Sequence, residues 1–460
     1  MIILGIETSC DETALALIET RVNTSRKMGV EKTNTPEYRI ISSLVHSQAS
    51  LHSAFGGVYP ALAKREHGKN LVPLLIKLLD ESGLVTKTEL SDKQFREILG
   101  FKETTGSFVQ DLSIQNPDLI ESVLANENFL RKICHIDQIA VTEGPGLEPA
   151  LWVGINFARI LGALWKIPIT PINHMEGHIV GSLIPTDKPY GTWFTIYELP
   201  LPSVALLISG GHTELVCIKK QTTNTSSTNT VATILEKEVK EKNTDIFSYK
   251  IIGETRDDAV GEAFDKVARL LDLPYPGGPH ISKLATEARE RNIPAPLKLP
   301  RPMIGTDDCA FSFSGLKTAV LYAVREERAK SATKISTTNN STELSYDFRA
   351  GLAREFEDAI TEVIEVKLKK ALEIVQLDQS GQPDQTAQSI IVGGGVSANH
   401  TLRVMLEKVS KEYDIPLFMP SQHISGDNAL MIALAATINY KPYSDSQTQK
   451  PIKAHGTKRL

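Results

Sequence analysis

The feature that most constrains this chain is a motif that occurs twice: a short apolar run, a tight polar turn and a second apolar run. The turns lie at residues 10–13 and 209–212. Strands joined by so short a turn must pair antiparallel, because a parallel crossover needs a dozen or more residues. The repetition of the motif also indicates two similar halves.

The rest of the sequence predicts an α/β fold with mixed sheets. Short apolar runs typical of buried strands alternate with helical patterns of apolar residues. The strands are predicted at 2–6, 14–18, 138–142, 204–208, 215–218 and 389–392, and the helices at 60–79, 149–164, 258–271, 346–375 and 399–408. A chain of 460 residues exceeds one small core, so two lobes are expected.

Residues 1–135 are predicted to form the first part of an N-terminal lobe. They carry a helical insertion at about 85–133, because Ser91 with Gln94 forms a capping-box pattern and Asn116 precedes a proline typical of a first helical turn. Residues 136–440 supply the rest of that lobe and a C-terminal lobe. Residues 441–460 are predicted to be a flexible basic tail, and polar segments at 21–38, 222–230, 331–342 and 378–388 to be solvent loops.

Composition limits the compartment and the partners. The net charge is −5, and four cysteines are scattered without C-x-x-C spacing. Neither a strongly basic nucleic-acid-binding domain nor a structural zinc cluster is therefore indicated, and any contact with nucleic acid must come from a local patch or a partner. No targeting segment precedes the first strand, and no apolar stretch is long enough to span a bilayer. A cytoplasmic protein without membrane contact is predicted.

Three turns that follow buried strands are suited to phosphate binding. The first, at 7–13, combines hydroxyls with Asp11 and Glu12; the second, at 207–214, contains Gly210 and Gly211; the third is a run of glycines at 393–395 before a helix start. Backbone N–H groups in such turns bind anions. The first two turns are equally compatible with ordinary hairpins, whereas three consecutive glycines favour a nucleotide site.

Asp265 is the acidic residue best placed for ligand binding on the helix predicted at 258–271. The pairs Glu262–Lys266 and Asp265–Arg269 have i,i+4 spacing, which is typical of a solvated, salt-bridged face. A turn rich in glycine and proline follows at 275–279. A carboxylate that faces this turn is able to hold ribose hydroxyls.

His174 and His178 are four residues apart, on one face of a helix, and can bind one metal ion. The spacing alone also fits two hydrogen-bonded structural histidines. It is not the zinc-protease motif, because Met175 stands where that motif has glutamate. Asp427, in a tight turn before an apolar helix, is the best candidate for a third ligand. Two histidines and one carboxylate with open positions suit Fe(II) or Zn(II).

Taken in order, these motifs resemble those of the tRNA N6-adenosine threonylcarbamoyltransferases, the TsaD family. The matching stretches lie at 5–13, 56–60, 63–67, 144–147, 174–178, 209–213, 261–266, 275–279, 311–318 and 394–399. The resemblance implies an actin-like, sugar-kinase-like (ASKHA) fold, with two lobes interleaved around a central cleft. It also implies transfer of the threonylcarbamoyl group from L-threonylcarbamoyladenylate to N6 of adenosine 37 in tRNAs that read ANN codons, with release of AMP.

The resemblance also implies roles for particular residues. One divalent metal ion, Fe(2+) before Zn(2+), would be held by His174, His178 and Asp427. Asp11 and Glu12 would lie near the reacting centre, where a carboxylate such as Asp11 is able to take the amine proton. The implied partners are tRNA, L-threonylcarbamoyladenylate, an inactive paralogue (TsaB-like) and a small ATPase (TsaE-like). The implied donor contacts are Leu207, Ile208, Ser209, Gly210, Gly211, Asp265, Gly278 and Asn399.

The chain departs from the family pattern at Tyr59 and Ala61, where valine and glutamate are usual, and in the 85–133 insertion beside the lobe that normally meets a partner. Three other functions stay open at this stage: a metallopeptidase acting on glycoproteins, a small-molecule kinase of the same fold, and a non-catalytic scaffold. The missing glutamate after His174 argues against the first. A kinase should transfer γ-phosphate from ATP, and a scaffold should lose the metal ligands, which this chain keeps.

Overall fold

The computed structural model describes residues 1–23, 35–99, 115–185, 189–220, 247–334, 343–377, 386–438 and 452–460. Its strands are β1 (Ile2–Glu7), β2 (Glu12–Asn23), β3 (Thr35–Ser47), β4 (Val85–Glu89), β5 (Lys132–Cys134), β6 (Gln138–Gly144), β7 (Ile169–Asn173), β8 (Trp193–Phe194), β9 (Ser203–Ile208), β10 (Thr213–Lys220), β11 (Phe247–Glu254), β12 (Ser389–Gly393) and β13 (Leu417–Phe418). The strands predicted from the sequence are all present.

The α-helices in the same residues are α1 (Ala49–Ser53), α2 (Pro60–Ser82), α3 (Asp92–Ile98), α4 (Pro117–Ala125), α5 (Glu127–Leu130), α6 (Glu148–Trp165), α7 (His174–Gly181), α8 (Val260–Leu270), α9 (Gly277–Glu290), α10 (Ser314–Lys334), α11 (Tyr346–Leu377), α12 (His400–Tyr413) and α13 (Ala429–Ile438). Short 3-10 turns lie at Gly395–Ala398 and Gln422–Ile424. The five predicted helices are present with ends shifted by a few residues. None of the helices in the described ranges is long and apolar enough to cross a membrane.

Two mixed sheets form the two lobes, and five strands of one sheet are arranged in the same way as the five strands of the other. The N-terminal sheet has the order β7-β6-β1-β2-β3-β8, and the C-terminal sheet has the order β11-β10-β9-β12-β13. In each sheet an antiparallel meander is extended by two parallel strands, β6 and β7 on β1 in one case and β12 and β13 on β9 in the other. The α/β class, the mixed sheets and the expected two halves are therefore confirmed, in agreement with the actin-like, sugar-kinase-like prediction.

The core of each lobe forms where apolar helices cover its sheet. All six residues of β9 are buried, as is typical of a strand covered on both faces. Helix α13 is apolar around its whole circumference, and its residues from 429 to 436 are buried against the N-terminal sheet and α7. The turn before α13 is consequently held at the centre of the molecule.

Within its described residues, 85–99 and 115–133, the predicted insertion contains three helices and a small sheet. Helices α3, α4 and α5 lie between β4 and β5, which pair antiparallel with each other. The Ser91–Gln94 capping box is formed in full. Pro117 is the first residue of α4, as predicted, but the side chain of Asn116 does not cap that helix.

Two of the predicted loops are shorter than expected. The loop predicted at 21–38 is wrong at both ends, because β2 continues to Asn23 and pairs with β3 from Thr35 onward. The polar residues there form a solvent-facing hairpin stem, in which Arg21 is paired with Glu37. The loop predicted at 331–342 is wrong at its start, since α10 continues to Lys334. Residues 24–34, 222–230, 335–342 and 378–385 lie outside the described residues.

The end of the predicted basic tail packs against both lobes. The N–H of His455 donates to the carbonyl of Glu143 (2.8 Å), and the Arg459 guanidinium pairs with Glu254 at 3.1 Å. Ala454 is buried in the N-terminal core, and Leu460 packs against the apolar cluster around Met175. A free tail is therefore the wrong description of residues 452–460; residues 439–451 lie outside the described part of the chain.

Candidate metal centre and active site

The metal-binding motif begins with a capped helix. The Asn173 side chain accepts hydrogen bonds from the backbone N–H of Met175 (2.8 Å) and of Glu176 (3.3 Å), and so fixes the first turn of α7 at the end of β7. This places His174 and His178 one turn apart on the same face. Their rings meet edge to face with centroids 4.7 Å apart.

Asp427 joins the two histidines from the turn that precedes α13. Its Oδ1 lies 3.4 Å from Nε2 of His174 and 3.2 Å from Nε2 of His178. One ligand atom from each of the three residues falls within 4.8 Å of the others. The structure therefore brings the three predicted ligands together, in a buried position and with suitable atoms facing one another.

Glu7, at the end of β1, lies directly behind His174. Its Oε2 is 3.1 Å from Nδ1 of His174 and accepts a hydrogen bond from the Thr142 hydroxyl at 2.5 Å. A carboxylate can only accept, so it keeps the proton on Nδ1 and leaves the Nε2 lone pair facing Asp427. Carboxylates commonly orient metal-bound histidines in this way. The signal for Glu7 in the sequence is an acid at the end of an otherwise apolar strand.

The carboxylates at this centre favour the binding of a cation. Burial favours the neutral form of Asp427, but the adjacent imidazoles outweigh it and hold the pKa of Asp427 well below its usual range. Burial likewise acts to raise the pKa of Glu7, and the charge and hydrogen bond of His174 lower it overall. Burial opposes protonation of His174, yet the two carboxylates raise its pKa well above normal. The two carboxylates therefore favour positive charge between them, which a proton on His174 or a divalent cation held by the imidazoles and Asp427 would supply.

The turn at 10–13 places two acids at the boundary between the lobes. The Tyr275 hydroxyl donates to Oδ2 of Asp11 at 3.3 Å, which connects the turn to the C-terminal lobe. Burial, followed by the nearby charge of Asp11, raises the pKa of Glu12 well above its normal value. The surroundings of Glu12 therefore favour its protonated form.

The second and third predicted turns pack against each other. A Cβ on Gly394 would lie 2.4 Å from the carbonyl oxygen of Ile208, and one on Gly393 would lie 3.0 Å from Cβ of His178. Close packing thus accounts for two of the three glycines, and Gly394 also has a φ of 92°. Gly210, Gly211, Gly278 and Gly395 have no atoms within 4 Å of an added Cβ and border open space. Leu207 and Ile208 are fully buried, so only their backbone can face a ligand.

Asp265 and Asn399 are both engaged within the protein. Oδ1 of Asp265 accepts a hydrogen bond from the N–H of Gly277 at 2.7 Å and so holds the turn before α9. Burial is the main reason that the pKa of Asp265 is raised to about 6. Asn399 caps α12 through Leu402, and its Nδ2 donates to Ser282 and Glu357 at 2.7 Å each. Its side chain is fully hydrogen-bonded, so its predicted contact with the donor stays a prediction.

The predicted pairs on α8 have different outcomes. Lys266 is paired with Glu262 at 2.9 Å, as expected, and also with Asp258 at 2.7 Å. The ion pair predicted between Asp265 and Arg269 is absent among the described residues. Arg269 lies instead beside Gly56 of the N-terminal lobe, where a Cβ would be 3.0 Å from its guanidinium carbon.

Comparison with known proteins gives one consistent result. The family model described as TsaD, tRNA N6-adenosine threonylcarbamoyltransferase, matches residues 39–91, 110–242 and 241–434. A protein of that name from Nitrosomonas eutropha is 32% identical over 97% of this chain and 94% of its own length, and one from Paraburkholderia xenovorans is 34% identical over the same shares. Neither the peptidase, the kinase nor the scaffold alternative receives support.

Among solved structures, the ROK hexokinase from Thermus thermophilus is similar over 95% of this chain and 98% of its own, with 10% identity and a TM-score of 0.36. That likeness is too weak to assign a fold. The family match begins at residue 39, in β3, and reaches into helix α13, and each of the two relatives is aligned over 97% of the chain. The chain therefore belongs to the TsaD family of tRNA N6-adenosine threonylcarbamoyltransferases.

Proposed function

We propose that this chain transfers the threonylcarbamoyl group from L-threonylcarbamoyladenylate to N6 of adenosine 37 in tRNAs that read ANN codons, releasing AMP. The observation that carries the proposal is the set of His174, His178 and Asp427, whose ligand atoms lie within 4.8 Å of one another in a chain that matches this family. The names of the relatives agree with it.

The metal is proposed to be Fe(2+), with Zn(2+) as the second candidate. Nε2 of each histidine and Oδ1 of Asp427 would hold it, and Glu7 would orient His174 from behind. When bound, a divalent cation supplies positive charge that stabilises oxygens of the donor as negative charge develops on them. The chain's own residues must do the remaining work of holding the adenylate and receiving the acceptor amine.

The adenylate is proposed to lie along the open backbone of the C-terminal lobe. Ser209, Gly210 and Gly211 offer a turn without side chains in the way, and Gly278 begins α9 with similar open space. Asp265 uses one carboxylate oxygen to hold the N–H of Gly277, and its other oxygen is proposed to accept ribose hydroxyls. Leu207 and Ile208 contribute only backbone, and Asn399 contributes by fixing the start of α12.

Asp11 is proposed to take the proton that the acceptor amine loses. N6 of adenosine forms a bond to the carbamoyl carbon, the bond from that carbon to the phosphate oxygen breaks, and AMP leaves with the electron pair. Burial and the charge of Asp11 favour the protonated form of Glu12, so Asp11 rather than Glu12 is proposed as the acceptor. Correct placement of the two reactants contributes as much to the rate as the proton transfer.

The proposed compartment is the cytoplasm, because Cys10, Cys134, Cys217 and Cys309 are all free thiols. The proposed protein partners are an inactive paralogue and a small ATPase, as in the family that the sequence resembles. Tyr59 and Ala61, which differ from the family pattern, are both exposed. A partner of this chain is therefore proposed to have matching changes at that surface.

The proposal is tested by replacing His174 with alanine. The variant should lose bound metal and threonylcarbamoyl transfer while its circular dichroism spectrum is unchanged. His280→Ala, in helix α9 and away from the metal ligands, is the matched control and should keep both properties. Transfer at the wild-type rate by His174→Ala, in a reconstituted assay on an ANN-reading tRNA, would show that the metal is not needed for the proposed function.

A further inference from the structure

A cavity of about 340 Å³ lies between the lobes, and apart from Asp265 and Tyr275 the residues that line it have been given no role. Its N-terminal wall is formed by residues 53–56, and its C-terminal wall includes Asp265, Arg269 and Tyr275. The Tyr275 hydroxyl donates to Asp11, so the cavity adjoins the proposed proton acceptor.

The exposed ring of Phe55 lines this cavity, and the exposed ring of Tyr59 stacks on it from outside the lining. Phe55 is 61% exposed and Tyr59 is 54% exposed. Their rings are stacked, with centroids 5.6 Å apart and planes 19° from parallel. Packing of the fold does not require two large rings in solvent, whereas stacked, exposed rings are suited to binding another flat ring.

Arg269 gives the same cavity a positive charge. Its side chain reaches from α8 across to Gly56, and among the described residues its guanidinium forms no ion pair. Gly56 has a φ of 66°, so the close approach of arginine and the turn of the backbone both require glycine. An exposed guanidinium beside stacked rings can bind an anion attached to the ring-bearing ligand.

A chain of buried hydrogen bonds connects the rings to the turn that carries Asp11. The N–H of Tyr59 donates to Nδ1 of His52 (3.3 Å), and Nε2 of His52 is 3.2 Å from Oε1 of Gln48. Nε2 of Gln48 is 3.2 Å from Nδ1 of His67, whose Nε2 lies 3.0 Å from the carbonyl of Cys10. Every donor faces an acceptor, so the rings are held at a fixed position relative to Asp11.

We propose that this cavity binds the single-stranded RNA that flanks the target adenosine. An unpaired base next to the adenosine stacks on Phe55, and Arg269 binds a phosphate of the same strand, which directs N6 towards Asp11. Unpaired RNA is commonly recognised by aromatic stacking combined with arginine–phosphate contacts. The inference rests on the proposed transfer to tRNA. It also accounts for RNA binding by a chain whose net charge is −5.

The test compares Phe55→Ala and Arg269→Gln with a matched pair on helix α10, Tyr322→Ala and Arg325→Gln. Tyr322 is 63% exposed and Arg325 is exposed as well, and neither lines the cavity. Each cavity variant should raise KM for an unmodified ANN-reading tRNA about tenfold. The KM for the donor should stay at the wild-type value. Arg269→Gln should also reduce the salt dependence of tRNA binding by about 0.7 in the slope of log K against log salt.

A second measurement places a photo-crosslinking amino acid at position 55 or, as the control, at position 322. Position 55 should crosslink to the anticodon loop of tRNA, and position 322 should not. A wild-type protein without transfer to tRNA contradicts the proposed function itself. A wild-type protein that transfers normally while Phe55→Ala and Arg269→Gln keep its KM for tRNA overturns only the RNA site. Crosslinks from position 55 to a partner protein instead of RNA also overturn it.

Discussion

Glu7 accepts hydrogen bonds from three groups while it is fully buried: the N–H of Ser9 and the Thr142 hydroxyl, each at 2.5 Å, and Nδ1 of His174 at 3.1 Å. A buried carboxylate needs such partners, because unpaired charge in the interior is costly. The arrangement fixes the position and tautomer of one metal ligand. At the scale of a single residue, Glu7 is therefore expected to influence the proposed metal site without being a ligand.

Glu7→Gln should weaken metal binding by about 10-fold to 100-fold, the usual effect of removing a carboxylate behind a metal-bound histidine. Glutamine has the same size but no charge, so it no longer holds the proton on Nδ1. Competition with a chelating dye measures the affinity. Glu66→Gln, which removes a partly buried charge paired with the exposed Lys69, should have no effect. Equal affinities of Glu7→Gln and the wild type would show that His174 needs no such support.

His67 is a neutral histidine in the middle of the hydrogen-bonded chain below Phe55 and Tyr59. It is fully buried, and this burial is the main reason that its pKa is lowered to about 4. The unfolded chain binds a proton at this site near pH 6.5, so between pH 6.5 and 4 the unfolded state holds more protons than the folded state. Stability due to His67 is complete above pH 6.5 and is lost as the pH falls towards 4.

The wild type should therefore lose about 3 kcal/mol of its free energy of unfolding through His67 between pH 7 and pH 4. In His67→Gln this contribution is absent, because the amide does not titrate. Urea denaturation gives the free energy of unfolding of both proteins at pH 7 and at pH 4. The loss between the two pH values is then compared between the proteins, because contributions from other titrating groups cancel in that comparison. Identical pH dependence of the two proteins would place the protonation of His67 outside this range.

At the scale of the secondary-structure elements, β1 and α13 are in direct backbone contact. A Cβ on Gly5 would lie 2.2 Å from the carbonyl oxygen of Ala429. Any larger residue at position 5 must push α13 away from the sheet. Since Asp427 lies two residues before the start of α13, the glycine helps to determine where this metal ligand stands.

Gly5→Ala should destabilise the protein by about 1–3 kcal/mol, the usual cost of overpacking a core. It should also weaken metal binding, because displacement of α13 moves Asp427 away from the histidines. Gly305→Ala, where an added Cβ meets no atom within 4 Å, is the control. Unfolding by urea and metal titration provide the two measurements. Unchanged metal affinity in a destabilised Gly5→Ala would show that the position of Asp427 does not depend on that of α13.

These elements also show what could be predicted from the sequence. Helix and strand patterns indicated both hairpins and the α/β class, because burial imposes periods of two and 3.6 on apolar residues. The distant ligand Asp427 was found through the family motif and the turn that contains it. Glu7 was missed as a positioning residue, since its role depends on which side chain packs behind it. The free tail was wrong because polar residues at 452–460 use backbone hydrogen bonds that composition does not reveal.

At the scale of the whole molecule, residues 452–460 connect the two lobes. Lys458 is paired with Glu143 at the end of β6, and Arg459 is paired with Glu254 at the end of β11. The carbonyl of Arg459 also accepts a hydrogen bond from Nδ2 of Asn173 at 3.2 Å, the residue that caps the metal-binding helix. This segment therefore supports both the relative position of the lobes and the start of α7.

Deletion of residues 452–460 should lower the free energy of unfolding by about 3 kcal/mol, chiefly through the loss of the apolar contacts of Ile452, Ala454 and Leu460. It should also weaken metal binding, because Asn173 loses a partner. Urea denaturation and metal titration measure the two effects. Lys453→Ala, which changes an exposed side chain of the same segment, should behave like the wild type. Full stability of the shortened chain would show that the segment does not contribute to the free energy of unfolding.

His178 and Asp427 face each other across one metal centre, although 249 positions separate them in the chain. No fragment that ends before Asp427 contains all three proposed ligands, so tight binding of the proposed ion can begin only once nearly all of the polypeptide has been made and folded. The proposed ion would then report correctly assembled molecules, and the ratio of metal to protein in a preparation is expected to follow its active fraction. Inactivation by heat or protease can be followed in the same way, as release of the ion to an indicator dye, without substrate or tRNA.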